Sequence, residues 1–279
     1  MRSNLGAWAA ALLASLAPRV VWSALTQQDP PLALVFAQLL AVVVLSQLPI
    51  VRPVRSYVVL LVGMVAGDAL YQVVRSTSAW QAWWAGASEH ERLFIDPFFE
   101  TLPSAGVALT LVRSGLTREE LSLRIGELSR VLRIGGLAVT WWTAAPVLAL
   151  LLAGPLLAQL SFTVRPDPGA LPRALAFIPA AVVFAALNAF LEEFRFRAAP
   201  LACLVPVVGE GHALLVTAVL FGIGHFYGHP AGLSGVVLAG LAGWLLGLAM
   251  RGTRGIVAPW LVHGAQDVLI FMAVVMSER

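Results

Sequence analysis

Leu191-Glu192-Glu193-Phe194-Arg195-Phe196-Arg197 lies between two apolar runs, Ala174 to Phe190 and Ala198 to Val208. Two adjacent glutamates and two arginines therefore sit inside what reads as one hydrophobic helix. A charge at mid-bilayer costs about 2.5–3.5 kcal/mol on insertion scales, so such residues pair, line a cavity or do chemistry. On a helix Glu193 and Arg197 are four apart and share a face. Glu192 points about 100° away from Glu193. One glutamate can be neutralised by an arginine while the other stays available.

The rest of the chain is the setting for that helix. It has 279 residues, 59% hydrophobic and 12% charged, with a mean hydropathy of +0.85. Soluble domains carry about 25% charged residues, so these values indicate an integral, multi-pass membrane protein. Apolar runs of this length, separated by short Arg- or Pro-bearing gaps, predict an all-α transmembrane helix bundle rather than a barrel. Spans are expected near 5–25, 32–51, 55–74, 94–112, 134–160, 177–206, 212–228, 233–250 and 256–275. Asp96, Pro97, Glu100 and Pro103 interrupt the fourth, so the count is eight or nine. Arg2 followed by apolar Leu5 to Leu16 has the look of a signal peptide. Hydrophobicity resumes at Val20 to Leu25, and the stretch reads as an uncleaved first helix. Two regions are expected: 1–133, with the first spans and a surface helix, and 134–279, with the polar clusters described below.

The net charge of +3 comes from arginine alone, since the chain has no lysine. No basic patch is interleaved with polar surface, which excludes a nucleic-acid footprint. Cys203 is the single cysteine, so an intrachain disulfide is impossible, and it reads as a small buried thiol. Between spans four and five, Thr117 followed by Glu119 and Glu120 resembles a helix start. Leu121, Ile125, Leu128 and Leu132 then recur at helical spacing among arginines, which predicts an amphipathic helix on the membrane surface. The arginines of 113–133, with Arg52, Arg55, Arg251 and Arg254, place those loops in the cytoplasm. With nine spans the N-terminus is then cytoplasmic and the C-terminus external. Residues 75–96, with Trp80, Trp83 and Trp84, become an outer interfacial segment.

Three polar clusters fall in the C-terminal half: Glu192-Glu193-x-x-x-Arg197, Phe221-Gly-Ile-Gly-His225 and His263-Gly-Ala-Gln-Asp267. Glu192 precedes Gly209 by 17 residues and His225 follows it by 16. With a turn at Gly209 both sit roughly 24–25 Å along antiparallel neighbours, facing each other at similar depth. Pro200 and Pro206 are expected to kink the first arm. His263 and Asp267 are one helical turn apart. A carboxylate and an imidazole facing each other in an apolar cavity can activate a water. A second histidine can donate to an oxyanion as it develops. Glu192, His225, His263 and Asp267 could equally hold a divalent metal such as zinc.

In order and approximate spacing, these three motifs resemble those of the CPBP family of intramembrane proteases, which includes the type II CAAX prenyl endopeptidases. The resemblance covers about residues 134–275. It implies an endopeptidase that cleaves a membrane-anchored protein or peptide within the lipid bilayer of a bacterial-type cytoplasmic membrane. In that family the first glutamate and the second-motif histidine activate the water, here Glu192 and His225. The third motif, here His263 with Asp267, stabilises the oxyanion. Glu193 and Arg197 match the supporting positions. Position 267 is Asp where the prenyl proteases have Asn. An ionised Asp cannot donate, so Asp267 is protonated, orients His263, or binds metal. The metal-free mechanism, without a cofactor, is the expectation.

Other polar residues have plainer readings. His229, His212 and Glu210 read as loop residues. Asp68 is a lone acid in the third span. Arg195 is expected to snorkel or to line a substrate path. Asn188, one turn before Glu192, is placed to orient it. Gly240, Gly243 and Gly247 mark a close helix-packing face. Two other functions share these residues. A proton-coupled transporter would use buried acids and histidines, but such folds show two related halves, and here all three clusters lie in the last 90 residues. An idle scaffold or immunity-type membrane protein would leave the desolvation of these groups uncompensated.

Overall fold

Proline and glycine set most helix boundaries. In the computed structural model residues 2–112 and 114–278 are described. Arg113, the first arginine of the expected surface helix, lies outside them. The first helices are α1 (Arg2–Ala14), α2 (Ala17–Thr26), α3 (Leu32–Gln47), α4 (Arg55–Arg75), α5 (Ser78–Gly86) and α6 (Glu89–Leu111). A hairpin of β1 (Val131–Ile134) and β2 (Leu137–Thr140) follows. Then come α7 (Trp141–Thr163), the single turn α8 (Leu171–Ala174), α9 (Ile178–Glu193), a π turn (Phe194–Ala198), α10 (Ala199–Val208), α11 (Glu210–Gly224), α12 (Gly232–Thr253) and α13 (Val257–Ser277). The architecture is all-α apart from that hairpin.

Among the described residues, five helical segments are long and apolar enough to cross a membrane: Pro49–Arg75, Trp141–Thr163, Pro168–Val208, Gly232–Thr253 and Val257–Ser277. A sixth results if α1 and α2, bent by 53° at Ser15–Leu16, count as one span. The expected eight or nine spans are not all met, for identifiable reasons. Leu32–Gln47 ends at Pro49 and is about 24 Å long, short of a bilayer. Charged residues dilute the first half of α6. The helix α11 (Glu210–Gly224) is about 22 Å long, likewise short of a bilayer.

The amphipathic helix expected over 113–133 does not form. Thr117 and Glu120 do make the reciprocal capping contacts, Thr117 N–H to the Glu120 carboxylate and Glu120 N–H to the Thr117 hydroxyl. These bonds hold the Glu120 carboxyl below its usual range. Propagation stops at once, because Ser122 and Gly126 take positive φ. Gly126 lies so close to Gly255 that a Cβ would overlap backbone. The Ile256 N–H donates to the Arg124 carbonyl, and the Glu127 N–H donates to the Thr253 carbonyl. Leu121 and Leu128 are buried. Docking against the α12–α13 turn thus replaces the helix. Gly135 and Gly136, both at positive φ, close the two-residue hairpin turn. The expected fifth span begins seven residues late, at Trp141, for that reason.

Packing uses small residues where helices cross. A Cβ on Gly63, Gly67 or Gly106 would overlap backbone of the facing helix, so α4 and α6 touch main chain to main chain. Gly222 meets α12 in the same way, and Gly243 faces Phe221. The expected packing face on α12 is thereby present. The largest apolar core includes Ala7, Tyr57 and Leu61 from the first helices with Leu204, Leu220 and Met250 from the last.

Candidate active site

Pro200 has no N–H to offer the carbonyl four residues back, and its ring crowds that carbonyl. The backbone responds with one widened turn at Phe194–Ala198, where the Ala199 N–H donates to the Phe194 carbonyl five residues earlier. The expected kink at Pro200 therefore takes the form of a π turn. Glu192 and Glu193 precede this turn, and Arg195 and Arg197 lie within it.

Glu193 is fully buried and Arg197 nearly so. Arg197 Nη1 donates to Glu193 Oε1. Arg197 Nε donates to the Gly243 carbonyl at 3.2 Å, and its guanidinium stacks 4.1 Å from the Phe221 ring centroid. The pair read from the sequence is present, held by α12 and α11 as well as by its own helix. Glu193 Oε1 also accepts from His263 Nδ1 at 2.8 Å. This fixes the ring so that His263 Nε2 faces Glu192 Oε2 at 3.4 Å and Asp267 Oδ1 at 3.6 Å. The Glu192 contact lacks hydrogen-bond geometry, and Oε2 is buried without a partner.

His225 closes α11. Its Nδ1 donates to the Phe221 carbonyl at 3.1 Å, since a carbonyl only accepts. The neutral ring then carries its acceptor at Nε2. Glu192 and His225 line one cavity of about 140 Å³, as the matched depths on either side of Gly209 require. The structure brings Glu192, Glu193, Arg197, His263 and Asp267 together directly, and of these Glu192 shares the cavity lining with His225.

Several expectations are revised. Asn188 donates to Asp267 Oδ2 at 3.1 Å, so it orients Asp267 and not Glu192. Arg195 does not snorkel: it is buried and bonded to Glu100 of α6, and it lines the cavity. Asp68 is not alone, because it pairs with Arg19 of α2. Arg19, Asp68, Glu100 and Arg195 all line the same cavity. Glu100 had one signal in the sequence, an acid interrupting an apolar run. Arg19 had none, because long-range pairing across helices leaves no local spacing. His229 stands 3.6 Å from Glu89, apart from this cluster.

A divalent ion needs several donors converging on one point. Among the described residues no group of three or more His, Cys, Asp or Glu side chains has that arrangement. At His263, Nδ1 is taken by Glu193, and Nε2 faces the Glu192 and Asp267 carboxylates at 3.4 and 3.6 Å.

Residues 174–269 match the family model described as type II CAAX prenyl endopeptidase Rce1-like. This segment is consistent with a CPBP family protease. The matched segment runs from the end of α8 into α13 and contains Glu192, Glu193, Arg197, His225, His263 and Asp267. It is narrower than the resemblance read from the sequence, since α7 falls outside it. Arg19, Asp68 and Glu100 also lie outside. The match supports a protease, and with the five apolar helices it indicates an integral membrane protein acting on a membrane-associated protein or peptide. Comparison with curated proteins and with solved structures gives no match.

Proposed function

We propose that the chain is an intramembrane endopeptidase that hydrolyses a peptide bond of a membrane-tethered protein or peptide, without a metal or other cofactor. The carrying observation is that Glu192 and His225 share one cavity while Glu193 is committed to Arg197 and His263. In this reading a water between Glu192 and His225 Nε2 gives its proton to Glu192 as its oxygen attacks the scissile carbonyl. His263, anchored through Nδ1, directs an Nε2–H at the developing oxyanion. Asp267, held by Asn188, steadies the imidazole. Collapse of the tetrahedral intermediate breaks the C–N bond, and Glu192 returns its proton to the leaving amine.

The orientation follows from the arginine-bearing ends. Arg124 donates to the Arg254 carbonyl and Arg130 to the Gly252 carbonyl, so the 114–130 segment and the α12–α13 turn share one end. We assign that end to the cytoplasmic face of a bacterial-type membrane.

The test compares membrane-bound protein C-termini in cells carrying wild type or Glu192→Gln, alongside turnover of an internally quenched farnesylated peptide in proteoliposomes. Glu192→Gln should fold normally, accumulate uncleaved C-termini and lose peptide turnover. Near-normal turnover by that variant would remove Glu192 from the mechanism.

A further inference from the structure

A base must keep a free lone pair, yet Glu192 has an arginine three residues on. Arg195 Nη2 stands 4.0 Å from Glu192 Oε1, at the outer limit of an ion pair. What holds it there comes from another part of the chain. Arg195 Nη1 donates to the Glu100 carboxylate and, at 3.4 Å, to the Glu100 backbone carbonyl. A guanidinium is a rigid planar fork, so fixing one nitrogen fixes the other. Both side chains are largely buried.

We infer that Glu100 is a positioning residue for the proposed hydrolysis: by holding Arg195 it keeps the arginine from closing on Glu192. The inference rests on the protease reading of the same site. The charges facing Glu192 support it. His263 and Asp267 approach from α13, His225 from α11, and Glu100 from α6, with the Arg19–Asp68 pair across the cavity. Arg195 is the one cation within 4.0 Å of Glu192 among the described arginines. Without Glu100, its nearest buried acid is Glu192. A closed Glu192–Arg195 pair would give an intact protein whose general base is occupied.

Two measurements on the full-length protein in proteoliposomes decide this. The first is turnover of the farnesylated peptide. Glu100→Gln should lower kcat about a hundredfold, the low end of what a general base supplies, with KM within about twofold. Glu100→Gln combined with Arg195→Gln should recover most of the lost kcat, because the arginine that closes on Glu192 is gone. A combined variant no more active than Glu100→Gln alone would overturn the inference. The second needs no turnover: a double-mutant cycle of Glu192→Gln and Arg195→Gln on thermal melting, run once with Glu100 in place and once in the Glu100→Gln background. Coupling between 192 and 195 should rise when Glu100 is removed, and unchanged coupling would refute the positioning role. If wild type fails to cleave the peptide, the protease reading loses support, while the melting cycle still decides whether Glu100 holds Arg195.

Discussion

Arg197→Ala should be among the most destabilising single changes in the chain. Arg197 is 1% exposed and its partner Glu193 is 0% exposed. The substitution removes the ion pair, the bond to the Gly243 carbonyl and the stack on Phe221. Breaking a buried pair by removing one partner costs about 3–5 kcal/mol, because the other charge stays buried. For chains of 150–250 residues 1 kcal/mol moves Tm by about 2–4 °C, so the loss should be on the order of 10 °C. Glu193 also anchors His263, so turnover should fall in the protein that remains folded. Thermal melting of purified protein in detergent reads the first effect. The combined variant Glu193→Gln with Arg197→Met should regain part of the stability, since no charge is left unpaired, without regaining activity. A melting point within about 2 °C of wild type for Arg197→Ala would refute the reasoning.

Three further outcomes are expected. Asp267→Asn should keep substantial activity in the peptide assay, because the amide keeps the shape of the carboxyl group and its oxygen can still accept from Asn188; stoichiometric zinc in wild type, lost together with activity in this variant, would reverse the metal-free assignment. Gly106→Ala should lower the melting point by the equivalent of at least about 1–3 kcal/mol, since its Cβ would overlap the Gly63 carbonyl; wild-type melting would mean that α4 and α6 can part without cost. In a Cys203→Ala background, cysteines at Glu119 and at Ser277 should label from opposite faces of the membrane, because α13 starts beside the Arg124 loop and runs about 31 Å to Ser277; labelling of both from one side would contradict this.

What could be read from the sequence was whatever is encoded by local spacing. The i,i+4 interval of Glu193 and Arg197 specified their ion pair, and the nearly equal counts of 17 and 16 residues on either side of Gly209 matched the shared cavity of Glu192 and His225. Asn188 shows the limit. Its spacing from Glu192 allowed a contact, but its rotamer reaches across to Asp267 on α13. The surface helix over 113–133 failed for a related reason. Its leucines had helical period, yet Gly126 was wanted by a backbone crossing at Gly255 that no local pattern announces. Asp68 read as a lone acid, and Glu100 only as an interruption of an apolar run, because their arginines lie 49 and 95 residues away.

The π turn at Phe194–Ala198 has a consequence for how this protein can change over time. Glu192 faces the cavity from before it, Arg195 and Phe196 from within it, and Leu201 and Leu204, both buried in the main apolar core, lie after it. One extra residue in the turn offsets the two faces by about 100°. Deleting any residue between 194 and 198 would remove the extra residue while Pro200 still lacks its N–H. It would also swing either the glutamates out of the cavity or the leucines out of the core. Phe194 and Phe196 can be exchanged for other apolar side chains of similar volume, so drift in identity is open to this segment, whereas drift in length is closed.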